Sequence, residues 1–179
     1  MQKILIVGTS GCGKSTLALK LEKLLNIQNF DLDDYYWLPN WQPNPEYFNH
    51  VMGEILELNS WIISGNYSKF QPQLLQKADT IIWLDYAFMR CMYQGLKRSL
   101  RRMFFKKPCC NGNFETFNRT FLSSNSLLIW IISTYKRRKN SYSLLFKNTN
   151  ARQQFLRFKN PKDLNNWLTH LEILQLQFL

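Results

Sequence analysis

Arginine is missing from a long part of this chain: none stands between Glu22 and Met89. A pocket built from that part would have only Lys23, Lys69 and Lys77 with which to hold a phosphate-bearing molecule, and none of them offers a planar fork of donors. Long apolar runs are missing too. The longest, Leu127 to Ile132, is far too short to cross a bilayer. A strand-like run begins directly at Lys3, so no signal peptide is expected and the chain reads as cytoplasmic, with no membrane partner. Cysteine is sparse, with four in 179 residues. Cys12, Cys91 and the adjacent pair Cys109 and Cys110 show no zinc-type spacing and read as free thiols. Neither Asn-Lys-x-Asp nor Asp-x-x-Gly occurs, which disfavours a guanine-nucleotide switch. Internal repeats and low-complexity tracts are absent. What remains is an aromatic-rich chain expected to form one domain over 1–179, long enough to bury a substantial core.

The stretch from Lys3 to Asn26 organises that chain. Ile4 to Val7 has the β-branched bias of a buried strand. Gly8, Thr9, Ser10, Gly11, Cys12, Gly13, Lys14 and Ser15 then match G-x-x-x-x-G-K-[ST], and Leu17, Leu21, Leu24 and Leu25 follow at helical spacing. Glycines let the backbone turn its N–H groups toward an anion. The helix that opens behind them aims its unpaired amides and positive dipole end at the same point. Lys14 supplies an ammonium for the β- and γ-phosphates, Ser15 a hydroxyl for Mg²⁺, and Thr16 a contact to the α-phosphate. ATP with Mg²⁺ is the ligand this arrangement implies.

The net charge of +11 points to an anionic partner, and it is concentrated. One cluster holds Lys97, Arg98, Arg101, Arg102, Lys106 and Lys107; a second, Lys136 to Lys139, reads KRRK. Arg98, Arg101 and Arg102 share a helix face at i, i+3 and i+4. A solvated face is the plain alternative for them.

Further strands are expected at Asn29 to Asp33, Trp61 to Ser64, Thr80 to Asp85 and Phe155 to Phe158. The segment from Asp34 to Pro43, rich in aromatics and proline, reads as a loop. Asn44-Pro45 opens a helix with Phe48, Val51, Met52, Ile55 and Leu56 inward. Gln71 to Lys77 reads as a short helix. Ala87 to Met103 reads as a long helix with Phe88, Met92, Leu96, Leu100 and Met103 inward. Lys106 to Asn118 reads as a mobile connector. Ser126 to Phe146 returns to helix, burying Leu128, Ile131, Ile132 and Tyr135, and Asn160-Pro161 opens the last helix. Strands alternating with helices argue for a parallel sheet covered on both faces.

GTSGCGKS, LDDYYWLPNWQP, WIISGNYS, TIIWLDY and RCMYQGLKRSLRR together resemble the adenylate-kinase-related P-loop kinases, in particular the bacterial topology modulation proteins. The resemblance implies an α/β P-loop NTPase fold: a three-layer sandwich around a five-stranded parallel sheet of the nucleoside-monophosphate-kinase type. It also implies an acceptor-binding insertion at about 34–60 and a small arginine-rich lid at about 104–122. By the same resemblance Lys14, Arg98 and Arg102 would be catalytic, and Arg101, Arg137 and Arg138 would hold the nucleotide phosphates. Arginines on a closing segment suit a transition state with charge on its equatorial oxygens.

The chain departs from that pattern where the strand at Trp61 ends. Ser64 stands where an aspartate usually helps hold Mg²⁺, and Asn66-Tyr67 stands where an arginine is usual. Asp33 and Asp31 become the candidates to assist Ser15 at the metal, with Asp85 less favoured. Asp33 or Asp34 could take a proton from an attacking hydroxyl. Tyr35, Trp37, Trp41 and Tyr67 could wall the acceptor, with Asn66 beside them. A hydroxyl-bearing small molecule is therefore expected as acceptor rather than a nucleoside monophosphate. The competing readings are nucleoside monophosphate kinase activity and a nucleic-acid-associated ATP-binding protein; no groove-reading motif supports the latter.

Overall fold

The computed structural model describes residues 1–122, 126–147 and 152–177. The chain runs β1 (Lys3–Gly8), α1 (Lys14–Leu25), β2 (Asn29–Asp31), α2 (Leu32–Tyr36), β3 (Trp37–Leu38), β4 (Gln42–Pro43) and α3 (Pro45–Glu57). It continues through β5 (Trp61–Ser64), α4 (Gln71–Lys77), β6 (Thr80–Leu84), α5 (Phe88–Phe104), α6 (Leu127–Leu145), β7 (Gln154–Phe158) and α7 (Pro161–Leu176).

Five strands make one parallel sheet in the order β2-β5-β1-β6-β7. The central strands are apolar along their length because both faces are covered. Successive side chains alternate between the faces. Leu5, Val7, Ile63, Ile81 and Trp83 point into a core shared with α3, α4 and Tyr142 of α6. Ile4, Ile6, Ile62, Ile82 and Leu84 point into a second core with α1, α7 and Cys91 of α5. The expected α/β P-loop NTPase architecture is what the chain adopts. Its order brings Gly8, Asp31, Ser64 and Leu84, the carboxyl ends of four strands, to one edge, where ligands of open α/β sheets bind.

Helix ends follow the local signals. Asn44 accepts the Tyr47 amide at 3.3 Å and Asn160 the Asp163 amide at 3.0 Å. Asn26 ends α1 in the left-handed conformation. Among the described residues no helix is long and apolar enough to cross a membrane.

Four local expectations are corrected. β2 stops at Asp31, not Asp33, because Asp31 caps α2 by accepting the Asp33 amide at 3.3 Å. The aromatic segment after it is that short helix plus a small β3–β4 hairpin, not a loop. α5 buries Cys91, Gly95 and Ser99 and leaves Leu100 half exposed. The cause is the phosphate loop beneath it: a Cβ on Gly11 would stand 2.3 Å from the Cys91 carbonyl oxygen and 3.1 Å from the Gly95 Cα. Only small side chains admit that approach. On α6, Ile131 is buried while Ile132 faces out.

Candidate active site

β1 feeds directly into the glycine turn. Gly11 and Gly13 lie in the left-handed region at φ 82° and 99°. The Cys12 amide closes the turn on the Thr9 carbonyl at 3.2 Å. Cys12 itself is buried, which pushes its thiol above the ordinary range, so it packs and does not react. Gly13 caps α1 without any side-chain hydrogen bond, and a Cβ there would meet nothing within 4 Å. The first-turn amides of α1 are therefore open toward an anion.

The Lys14 ammonium donates to the carbonyls of Gly8 at 3.1 Å and Thr9 at 3.2 Å. It lies folded over its own loop. The Gly8 carbonyl also accepts the Asn66 side-chain Nδ2 at 2.8 Å, and the Asn66 Oδ1 accepts the Tyr142 hydroxyl at 2.7 Å. Asn66, expected on the acceptor, is thus turned onto the phosphate loop. It ties the end of β5 and the last turn of α6 to that loop. Tyr142 escapes sequence reasoning because it reads as one more aromatic on a helix; its buried hydroxyl is the only hint.

Of the two carboxylates considered for the metal, Asp31 is the one on the loop serine: it accepts the Ser15 hydroxyl at 2.5 Å. β2 and β5 are in register at Asp31 and Ser64, so Asp31 stands one strand away from the position where Ser64 replaces an aspartate. Burial first, and then the charge of Asp33, hold the Asp31 carboxyl above the ordinary aspartate range, against the Ser15 hydrogen bond. Asp33, expected beside Ser15, instead accepts the Tyr67 hydroxyl at 2.7 Å. Burial and the Asp33 charge push the Tyr67 hydroxyl far up, so it stays a donor. Asp85 is committed elsewhere: Arg157 donates to it at 2.6 and 3.1 Å and Lys139 stands 3.7 Å away. The described residues hold no cluster of three or more His, Cys, Asp or Glu suited to a metal. Ser15 and Asp31 are the pair able to contribute to one.

The expected acceptor wall divides. Tyr67 packs on Tyr36 and Phe48, with ring centroids 5.0 and 4.7 Å apart. Trp37 and Trp41 stand edge to face at 5.7 Å on the hairpin. Tyr35 leans back on Phe30 at 6.2 Å, on the core side. The segment expected as a mobile connector is pinned to this hairpin. The Asp34 carboxylate accepts the Asn111 amide at 3.3 Å, and the Asn111 side chain donates to the Trp37 carbonyl at 3.0 Å. Buried Asn113 donates to the Leu38 carbonyl at 2.9 Å and accepts the Trp41 amide at 2.8 Å; the Trp41 indole donates to the Phe114 carbonyl at 3.0 Å. These partners lie more than 70 residues apart in sequence, and no local pattern announces them.

The arginines separate as well. Arg102 is paired with Glu115 at 2.9 Å, in a depression of about 310 Å³ lined also by Met103, Lys106 and Phe114, away from the phosphate loop. Arg98, Arg101 and Arg137 are exposed. Arg138 is different. Its guanidinium lies over the Trp130 ring at 5.2 Å, and its Nη1 is buried without a hydrogen-bond partner among the described residues. Burial holds its basicity down, while Tyr142, Cys12 and Asp33 are close enough to act on it electrostatically. A buried donor with no acceptor, near the phosphate loop, suits an anionic ligand.

No protein-family model matches this chain. Solved structures that share its fold include two kinases. The deoxyadenosine kinase of M. mycoides aligns over 98% of this chain and 99% of that one, at 14% identity and a TM-score of 0.54. The shikimate kinase of Bacteroides thetaiotaomicron aligns over 96% of each, at 16% identity and a TM-score of 0.55. In sequence the chain is 31% identical over 133 residues to the uncharacterized protein YqaC of Bacillus subtilis (strain 168), which covers 70% of this chain and 72% of that protein. On that sequence match the chain belongs to the YqaC family.

Proposed function

We propose that this protein is a P-loop kinase that transfers the γ-phosphoryl group of ATP, with Mg²⁺, to a hydroxyl of a small-molecule acceptor. One observation carries the reading above the rest. Two carboxylates stand two residues apart where β2 passes into α2, with Asp31 on the loop serine and Asp33 exposed beside Tyr67. That spacing separates a metal-side carboxylate from a proton-accepting one. The likeness in fold to two kinases supports the class.

The chain's own groups then have distinct work. Main-chain amides of Gly8 to Thr16 cradle the triphosphate. Lys14 leaves its carbonyls and follows the β- and γ-phosphates. Ser15 and Asp31 serve Mg²⁺, which when bound neutralises phosphate charge. Asp33 accepts the proton of the attacking hydroxyl, and the Tyr67 hydroxyl holds that carboxylate in orientation. Arg138 offers its unpaired Nη1 to the transferring group, which gains charge on its equatorial oxygens. Catalysis of this kind works by positioning and charge neutralisation. On the acceptor side Tyr67, Trp37 and Trp41 present aromatic surface, and the segment that carries them, from Glu22 to Met89, holds no arginine to grip a phosphate.

A panel of ATP-consumption assays tests this. Hydroxylated metabolites are set against AMP, CMP, UMP and dTMP, for the wild type and for Asp33→Asn. Turnover with a hydroxyl acceptor, lost by at least a hundredfold in Asp33→Asn, is the expected result; general-base removal typically costs about 10² to 10⁴. Brisk turnover of any monophosphate would overturn the acceptor assignment and leave a nucleoside monophosphate kinase.

A further inference from the structure

We propose that Cys109 and Cys110 form a modification site, at which a hydroperoxide oxidises the adjacent thiols to a vicinal disulfide and thereby frees the lid loop from the β3–β4 hairpin.

The pair stands at the foot of the contacts that pin that loop. The Cys109 amide donates to the Asn113 carbonyl at 2.7 Å. The Asn113 side chain donates to the Cys110 carbonyl at 2.6 Å and to Leu38 across the interface, and accepts the Trp41 amide. Both thiols are partly exposed, whereas Cys12 and Cys91 are buried. The two sulfurs are also unlike. The Cys110 thiol beside it, and then the Arg102 and Arg98 guanidinium charges, hold the Cys109 thiol below its ordinary range. Its neighbour Cys109, burial and the charge of Asp33 push the Cys110 thiol up. Two thiols adjacent in the chain and both partly exposed, one of them beside guanidinium groups, make the arrangement of a peroxidatic and a resolving cysteine.

The chemistry balances. The Cys109 thiolate attacks the terminal peroxide oxygen; an S–O bond forms, the O–O bond breaks, and the alcohol leaves after protonation. The Cys110 thiol then attacks that sulfur, an S–S bond forms, the S–O bond breaks, and water leaves. Two thiols lose two hydrogens, and the hydroperoxide is reduced to an alcohol and water.

Geometry makes the product both disruptive and reversible. Cα atoms joined by a trans peptide are about 3.8 Å apart, shorter than the roughly 4.4 to 6.8 Å of ordinary disulfides. The ring is strained and therefore easily reduced by a thiol. The strain falls on a turn with little slack, since Cys110, Asn111 and Gly112 already hold φ of 46°, 59° and 79°. Across the interface Trp41 sits at φ 59°, an unusual conformation for a tryptophan, fixed by Asn113 and Phe114. Moving Asn113 removes what fixes it.

The test uses the full chain treated with hydrogen peroxide. Intact-mass analysis after native iodoacetamide labelling is expected to show loss of two hydrogens and loss of labelling at Cys109 and Cys110. In Cys110→Ser the reaction is expected to stop at a sulfenic acid, trapped by dimedone at Cys109. Hydrogen exchange of the Trp41 amide is expected to rise at least tenfold on oxidation and to recover with dithiothreitol. Thermal unfolding of Cys109→Ser and Cys110→Ser checks that both variants are folded. Unchanged mass, a disulfide between chains, or a vicinal disulfide that leaves exchange at residues 37–43 unaltered would each overturn the proposal. An accompanying rise in acceptor KM would rest on the kinase reading as well; mass and exchange do not depend on it.

Discussion

Replacing Arg138 by methionine should make the protein slower and more stable at once. The guanidinium Nη1 is buried without an acceptor, and a donor in that state costs about 1 to 3 kcal/mol. Its contact with the Trp130 ring at 5.2 Å returns about 0.5 to 1 kcal/mol. Methionine keeps the stem's packing and removes the stranded donor, so a net gain of about 1 kcal/mol is expected. For a chain of this length that raises Tm by about 2 to 4 °C. An arginine that meets the transferring phosphoryl group is worth about 10³ to 10⁵ in rate, so kcat should fall by at least about 10³ while the KM for ATP moves little. Arg138→Lys keeps the charge but not the fork and should recover only part of the rate. Differential scanning calorimetry and a coupled ADP-release assay read both quantities. A Tm lower by several degrees with kcat intact would refute the reasoning and make Arg138 a packing residue.

Other consequences concern the loop and its carboxylate. The Asp31 carboxyl is held above the aspartate value of 3.8 by burial and by Asp33. In the pH range just above 3.8 the folded protein therefore binds more protons than the unfolded one, so the group's contribution to stability is present below that range and is lost as pH rises through the raised value. Asp31→Asn should flatten that slope in urea titrations across pH. The acid limb of kcat/KM should lie above that of an ordinary aspartate and move down as Mg²⁺ is raised; an acid limb indifferent to Mg²⁺ would count against the Ser15–Asp31 pairing at the metal. Gly11→Ala should be severely destabilising, by more than about 3 kcal/mol, because its Cβ would stand 2.3 Å from a backbone oxygen of α5 at a φ of 82°. A midpoint within a degree of wild type would show that α5 can withdraw freely.

Much of the fold was legible because its signals are local. The phosphate loop is a contiguous motif between a β-branched run and a helical repeat, and Asn44 and Asn160 announce their helices with the prolines that follow. The α5 face was not legible. Its apolar periodicity favours Phe88, Met92 and Leu96, but the close approach of Gly11 to Cys91 and Gly95 turns the helix onto their face, and that demand comes from a loop 80 residues away. The site divides along the same line. Ser15 and Asp31 were readable as candidates from type and position. Which carboxylate met the serine depended on where β2 ended, and boundaries are the weakest product of pattern reading. Tyr142 on Asn66, and Asn113 on Trp41, are side-chain contacts between distant segments that carry no periodic signature.

The most direct measurement is a calorimetric titration of ATP with Mg²⁺ into the wild type and into Lys14→Met. Saturable one-site binding to the wild type, weakened at least a hundredfold in the variant and dependent on Mg²⁺, is the predicted result. Absence of binding to the folded wild type, or equal binding by Lys14→Met, would contradict the account.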